Sequence, residues 1–227
     1  MKKFLSVLLA MLMLVLLTAS AESAPTVFVS ISDDAGALVL AHAAVAVTDA
    51  DVDGALTICD ALMLAHAAYH PDGAAAFLAE DTEWGKSLYV LWGIDNGGSY
   101  GYMLNDASPM SLLDPVKDGD HVKAYAYTDL TAYSDTYAYF VVPAAAAAVK
   151  ETAEFKLSAA GYDAAWNPVV LPVAGAVLTV NGEKTDAVTD ENGCAALTFP
   201  ECGVYTVSAV CENMTLVPPV CIVTVTE

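Results

Sequence analysis

The first part of the chain alternates between hydrophobic and polar positions in short runs, as half-buried strands do. The clearest run is Thr26 to Ser32, in which Val27, Val29 and Ile31 fall on one face. Further strands are predicted at Ala37 to Val47, Ser87 to Trp92, Tyr100 to Leu104 and His121 to Tyr127.

One segment of this part has the composition and boundaries of a helix instead. Ala61 to Tyr69 is predicted to be helical, with Thr57 as its N-cap, Asp60 as the partner of that cap, and Pro71 ending it. We therefore predict an α+β domain over residues 25–140, in which a sheet packs on one helix.

Residues 153–227 follow a different pattern. Short alternating segments separated by turn residues occur at Ala153 to Ser158, Pro172 to Gly182 and Gly203 to Ala209. This pattern predicts an all-β sandwich of the immunoglobulin-like (Ig-like) type. Between the two patterns, a Val-Val-Pro segment precedes five alanines, and residues 141–152 are predicted to be a linker. The chain as a whole is expected to be mainly β.

The twelve residues from Asp49 to Asp60 have the spacing of an EF-hand-type calcium loop. Carboxylates alternate at its start, Gly54 permits a sharp turn, and a hydroxyl and a last carboxylate follow at the expected positions. Ca²⁺ prefers about six to eight oxygen ligands, which such alternation directs to one point. The predicted ligands are Asp49, Asp51, Asp53, the carbonyl of Ala55, Thr57 (directly or through a water) and Asp60. The alternative is a solvated loop that only caps the helix.

Several of these segments resemble known families. Leu91 to Ile94, Ser99 to Asn105 and Val116 to Val122 are similar to the DUF4430, transcobalamin C-terminal-like family, which itself resembles β-grasp domains of the SLBB type. This resemblance implies a β-grasp-like fold and a place among the secreted and surface proteins of Gram-positive bacteria. The aspartate at the end of the loop, Asp60, resembles the dockerin form of the calcium loop. The motif order in residues 153–227 resembles bacterial Ig-like and prealbumin-like modules, which serve as spacers and adhesive stalks.

Aromatic residues are the candidate ligand contacts. Tyr100 and Tyr102 are two positions apart and so share one face of a strand. With Trp92, they could stack on a sugar or another flat ligand. The alternative is that these rings fill a small core.

Charge and the N-terminal segment restrict the partners and the location. Acidic residues outnumber basic ones 28 to 8, and the net charge is −20. Such a surface repels phosphate backbones, so nucleic acid is excluded as a partner. Two lysines, an apolar run from Phe4 to Leu17 and a small-x-small site predict a signal peptide over residues 1–21. The mature chain is expected outside the cell, in solution or at the cell surface, without membrane insertion.

The cysteines and histidines are the remaining candidates for metal binding and disulfide formation. The five cysteines are odd in number and lack Cys-x-x-Cys spacing, which argues against a zinc cluster. Cys211 and Cys221 could pair across a hairpin, and Cys59 is predicted to be a buried, small apolar residue. His66 and His70 are four residues apart and could share a metal, but a core role for His66 is preferred.

These observations lead to one hypothesis and two alternatives. The hypothesis is a secreted, calcium-binding surface or adhesion protein that is not an enzyme and binds an extracellular glycan, protein or small ligand. The first alternative is an accessory glycan-active hydrolase that uses one pair of its many carboxylates. The second is a purely structural surface or assembly subunit.

Overall fold

The N-terminal unit consists of a sheet, the predicted calcium loop and the predicted helix, which packs on the sheet. In the computed structural model, which describes residues 23–83 and 85–227, the strands of this part are β1 (Thr26–Ser32), β2 (Leu38–Ala46), β3 (Leu78–Thr82), β4 (Gly85–Val90), β5 (Tyr100–Leu104) and β6 (His121–Ala126). Four of them form one sheet in the order β2-β1-β6-β5, with β1 and β6 parallel and the outer pairs antiparallel. β3 and β4 form a separate antiparallel hairpin.

The helix of this unit is α1 (Ile58–Tyr69), and it begins where the sequence predicts. Thr57 and Asp60 form the reciprocal capping box, which satisfies main-chain groups at the helix start. The buried side of α1 includes Ile58, Leu62 and Ala65, which belong to the same hydrophobic cluster as Val27, Val29 and Ile31 of β1. A short 3₁₀ turn at Gly73–Ala76 follows the helix.

The C-terminal unit is a sandwich of two sheets. Its strands are β7 (Thr136–Phe140), β8 (Ala144–Ala148), β9 (Thr152–Tyr162), β10 (Pro168–Pro172), β11 (Val177–Val180), β12 (Glu183–Val188), β13 (Cys194–Thr198), β14 (Gly203–Val210), β15 (Leu216–Val217) and β16 (Cys221–Thr226). One sheet has the order β12-β11-β14-β16-β8, and the other has β10-β9-β7-β15 with β13 also paired to β9. Phe155 and Leu157 of one sheet and Leu178, Val207 and Val223 of the other share one core. The mainly β fold class is therefore confirmed.

The predicted boundary between the two parts needs correction. Residues 141–152 were predicted to be a linker, but Ala144–Ala148 form β8, which pairs in parallel with β16. Similarly, β7 lies in the segment predicted to end the first domain, yet it pairs with β9 of the sandwich. Alanine has a low intrinsic preference for strands, so its pairing with a distant strand could not be inferred from local pattern.

Aromatic residues join the two units. Tyr125 of β6 forms a buried cluster with Tyr137 of β7 and Val217 of β15. The partly buried side chains of Met103, Tyr127 and Tyr139 pack against it. The face of the N-terminal sheet that points away from α1 is therefore covered in part by the sandwich, which explains the tyrosine-rich run after β6.

Candidate metal centre

The loop between β2 and α1 is organised by its own aspartates. The Asp49 carboxylate accepts hydrogen bonds from the main-chain N–H of Asp53 and of Gly54, both at 3.0 Å. Gly54 has a φ of +93°, a backbone conformation that side chains with a Cβ rarely adopt. These contacts curl the loop so that Asp49, Asp51 and Asp53 each bring one carboxylate oxygen within 4.8 Å of the others. The structure thus brings together three of the predicted ligands.

The chemistry of this group fits a hard divalent cation. The Asp51 side chain is largely buried: its Oδ2 accepts a hydrogen bond from Lys86 Nζ at 2.7 Å, whereas its Oδ1 is buried without a partner. A buried carboxylate oxygen without a donor is costly, and a cation would satisfy it. Lys86 supplies one positive charge against three carboxylates. The pKa of Lys86 is raised, chiefly by its hydrogen bond to Asp51.

Thr57 and Asp60 lie in the same loop but are engaged differently. Asp60 is fully buried, and its Oδ1 accepts from the N–H of Ala50 at 2.8 Å and of Asp51 at 3.3 Å. Its Oδ2 accepts from both the N–H and the hydroxyl of Thr57, at 2.9 and 2.8 Å. Asp60 therefore ties the start of the loop to the start of the helix and stands outside the group of three carboxylates. Ala55 is exposed, and its N–H donates to Asp53 Oδ1.

The three candidate ligand-binding aromatics pack on the N-terminal core. Trp92, Tyr100 and Tyr102 are half-buried against the cluster that contains α1. The Tyr100 hydroxyl is held by the carbonyls of Tyr89 and Ile94, at 2.7 and 2.8 Å. The sequence predicts a strand that ends at Trp92, but β4 ends at Val90, and Trp92 follows it with a φ of +53°. These contacts favour the core role, and a role in ligand stacking stays a prediction.

His66 is a core residue whose two ring nitrogens both have partners. Nδ1 lies 2.7 Å from the Leu62 carbonyl, and Nε2 accepts the N–H of Trp92 at 2.9 Å. This pair of bonds requires the neutral ring with its proton on Nδ1. Burial lowers the pKa of His66 to about 4. Because neither nitrogen is free, the structure argues against a metal shared by His66 and His70.

A polar cluster at the contact between the two units was not anticipated. Lys123 is buried on β6, and its Nζ donates to the Ala138 carbonyl of β7 at 3.0 Å. The same Nζ is 3.7 Å from Asp106 Oδ1 and 4.4 Å from the centre of the Tyr137 ring. Burial lowers the pKa of Lys123 to about 8, and Asp106 opposes this shift. The sequence signal for this cluster was the alternation of His121 and Lys123 with Val122 and Ala124. On a strand, however, such polar residues usually indicate a side that faces solvent.

The cysteines are unpaired within the described residues. Cys59 is buried as predicted, and burial raises the pKa of its thiol to about 11, so it is not an activated nucleophile. The suggested Cys211–Cys221 pair does not fit the strand register, in which Cys221 stands opposite Val207. Cys211 lies four residues beyond Val207, just after the end of β14, and an extended chain covers about 13 Å over four residues. This exceeds the separation that a disulfide can bridge.

Comparisons with known proteins leave the family open. No protein-family model matches the chain, and none of the curated proteins matches it. Among solved structures, the chain is similar to the N-terminal Ig1-2 module of the Drosophila receptor protein tyrosine phosphatase DLAR. The two are 10% identical over 67% of this chain and 76% of that one, with a TM-score of 0.27. A structure of the tandem Ig repeats of Dlar gives the same identity and coverage with a TM-score of 0.26.

At these TM-scores the likeness supports no assignment of family or function. The description of the fold is therefore based only on the strand order within its sheets. The resemblance to the DUF4430 module therefore stays a prediction. The predicted signal peptide, residues 1–21, lies outside the described residues. In the part of the chain that the structure describes, no helix has both the length and the apolar character needed to cross a membrane.

Proposed function

We propose that this chain is an exported bacterial surface or adhesion protein, without catalytic activity, whose N-terminal unit is stabilised by one calcium ion. Its ligand would be an extracellular glycan, protein or small molecule. The observation that carries the proposal is the loop centred on Asp51, where three carboxylates converge and one buried oxygen lacks a donor.

Calcium would have a structural role in this protein. The ion would be held by Asp49, Asp51 and Asp53, and it would relieve their mutual repulsion. Because Asp60 connects this loop to the N-terminus of α1, a fixed loop would also fix the position of the helix on the sheet. The main chain of the loop would therefore stay ordered where the helix enters the core.

Binding, rather than catalysis, is favoured by where the reactive side chains lie. Ser30 Oγ and His121 Nε2 are 2.9 Å apart, the geometry of a nucleophile with its base. However, Ser30 and His121 are both buried, so a substrate could not reach them. Burial also lowers the pKa of His121 to about 3, which makes it a poor base near neutral pH.

A groove between the two units offers a place for a ligand. It has a volume of about 1010 Å³ and lies beside the β1–β2 turn, β11, β14 and the segment that follows β14. Its polar lining is mostly uncharged, with hydroxyl and amide groups from Thr128, Thr206, Ser208, Asn213 and Thr215. Such a lining suits a neutral, hydroxyl-rich ligand better than an ion.

The proposal predicts that calcium stabilises the mature protein. At a free calcium concentration of about one hundred times the dissociation constant, ligand linkage adds about 2.7 kcal/mol to the free energy of unfolding. For a protein of this size, the melting temperature should then rise by about 5–10 °C relative to EDTA. Differential scanning calorimetry with calcium and with EDTA measures the shift. Asp51→Asn should abolish it.

A matched control is Asp72→Asn, because Asp72 is a highly exposed aspartate outside the loop. This variant should keep the full calcium shift. An unchanged melting temperature of the wild type, together with no bound calcium in equilibrium dialysis at millimolar concentration, would rule out the calcium site. A shift retained in Asp51→Asn would instead place the ion elsewhere in the protein.

A further inference from the structure

β8 is an edge strand with unpaired main-chain groups. It pairs on one side with β16 and ends the sheet order on the other. The Pro143 carbonyl accepts from the N–H of Ile222, and the N–H of Val149 donates to the Thr226 carbonyl, both at 2.9 Å. Main-chain groups alternate in direction along a strand. The N–H and C=O of Ala144 and Ala146 therefore point away from β16, towards the free edge.

This edge lacks the features that usually protect free strands. Such protection comes from charged residues, prolines, bulges or a covering element. β12 carries Glu183, Lys184 and Asp186, and β10 begins and ends with proline. The register of β2 is interrupted by bulges, and its Ala44 carbonyl is bound by the Tyr69 hydroxyl. In contrast, β8 consists of five alanines in uninterrupted register with β16.

The surface next to this edge is apolar. Val141 and Val142, which connect β7 to β8, are 56% and 53% exposed. They border a groove of about 540 Å³ that is also lined by Phe140, Phe155 and Ala145. Burying exposed valines contributes to association, in addition to the hydrogen bonds that an added strand would form.

Local charge indicates which partner fits. The chain has a net charge of −20, so most of its surface repels another copy. Around β8, however, the basic residues Lys150 and Lys156 offset two of the three acidic residues, Glu151, Glu154 and Glu227. The charge of this patch is therefore close to zero although the chain as a whole is strongly acidic, so a second copy meets little local repulsion there.

We propose that two copies of this chain associate through β8, as antiparallel strands about a twofold axis near Ala146. This register places Ala144 of one copy opposite Ala148 of the other. Every cross-strand pair within β8 is then a pair of alanines, whose small side chains do not hinder the approach of the two strands. Each sheet of five strands would continue into that of its partner, and the exposed valines would face the other copy. The association does not depend on calcium, because β8 belongs to the sandwich and not to the metal loop.

Sedimentation velocity of the mature protein tests this inference. A small interface of this kind forms weak dimers, so the protein should be measured from about 10 µM to about 1 mM. Ala146→Lys places a charge at the edge, and Ala146→Pro removes an N–H that β16 does not use. Both variants should fold, as judged by unchanged far-UV circular dichroism, and each should raise the dimer dissociation constant by about tenfold or more.

The matched control is Ala44→Lys, which places the same charge on an exposed alanine of the other alanine-rich edge strand. It should dimerise as the wild type does. Three results would overturn the inference: a wild type that stays monomeric over the whole concentration range, folded Ala146 variants that dimerise like the wild type, or a dimer lost in Ala44→Lys but kept in Ala146→Lys.

Discussion

Replacing Asp60 with alanine is expected to lower the free energy of unfolding by about 3–5 kcal/mol, in EDTA as well as in calcium. The carboxylate is fully buried and accepts hydrogen bonds from the N–H groups of Ala50, Asp51 and Thr57 and from the Thr57 hydroxyl. Its removal would leave several donors without partners and would break the cap of α1. Urea denaturation followed by circular dichroism measures the loss.

The comparison with Asp53→Ala separates this role from metal binding. Asp53 is exposed, and its carboxylate accepts a hydrogen bond from the N–H of Ala55. In EDTA this variant should lose less than about 1 kcal/mol, whereas in calcium it should also lose the contribution of the ion. If Asp60→Ala were as stable as the wild type in EDTA, the carboxylate would serve mainly as a metal ligand, and the assignment of a structural role to Asp60 would be wrong.

Acidification is expected to destabilise the protein through its buried histidines. Burial lowers the pKa of His121 to about 3 and that of His66 to about 4, and it also lowers the pKa of His42. The unfolded chain binds these protons at a pKa of about 6.5. The contribution of the neutral, buried histidines to the free energy of unfolding is therefore fully present above about pH 6.5, and it is lost as the pH falls towards the folded-state pKa values. Each neutral histidine would contribute a slope of about 1.4 kcal/mol per pH unit.

His66 offers the sharpest test of this pH dependence. Protonation of Nε2 would place its N–H against the N–H of Trp92, which now donates to that nitrogen. In urea denaturation at pH 7.5, 6.0 and 5.0, His66→Gln should reduce the slope below pH 6.5 by about 1.4 kcal/mol per pH unit. The control is Phe77→Leu, since the Phe77 ring contacts His66 but does not titrate. A slope that is unchanged in His66→Gln would mean that His66 does not contribute.

Local signals predicted those features that depend on the spacing of residues within one segment. The alternation of Val27, Val29 and Ile31 gave the correct buried face of β1, because one face of this strand packs against α1. The Thr57 and Asp60 spacing predicted the helix start, because a capping box depends on groups three residues apart. The aspartate spacing likewise predicted the convergence of Asp49, Asp51 and Asp53, because the turn at Gly54 is local.

Tertiary contacts decided the rest. The sequence alone could not show that Asp60 would be occupied by four donors, since two of these come from the far end of the loop. Nor could it show that β8 joins the sandwich, since alanine has no local preference for a strand and its partner β16 lies more than seventy residues away. The burial of Lys123 depends in the same way on β7 covering β6, which joins two units that the sequence presents as separate. Local spacing therefore determined the loop, the helix start and the strand faces, whereas the pairing of distant segments determined which polar groups are buried and which edge is left open.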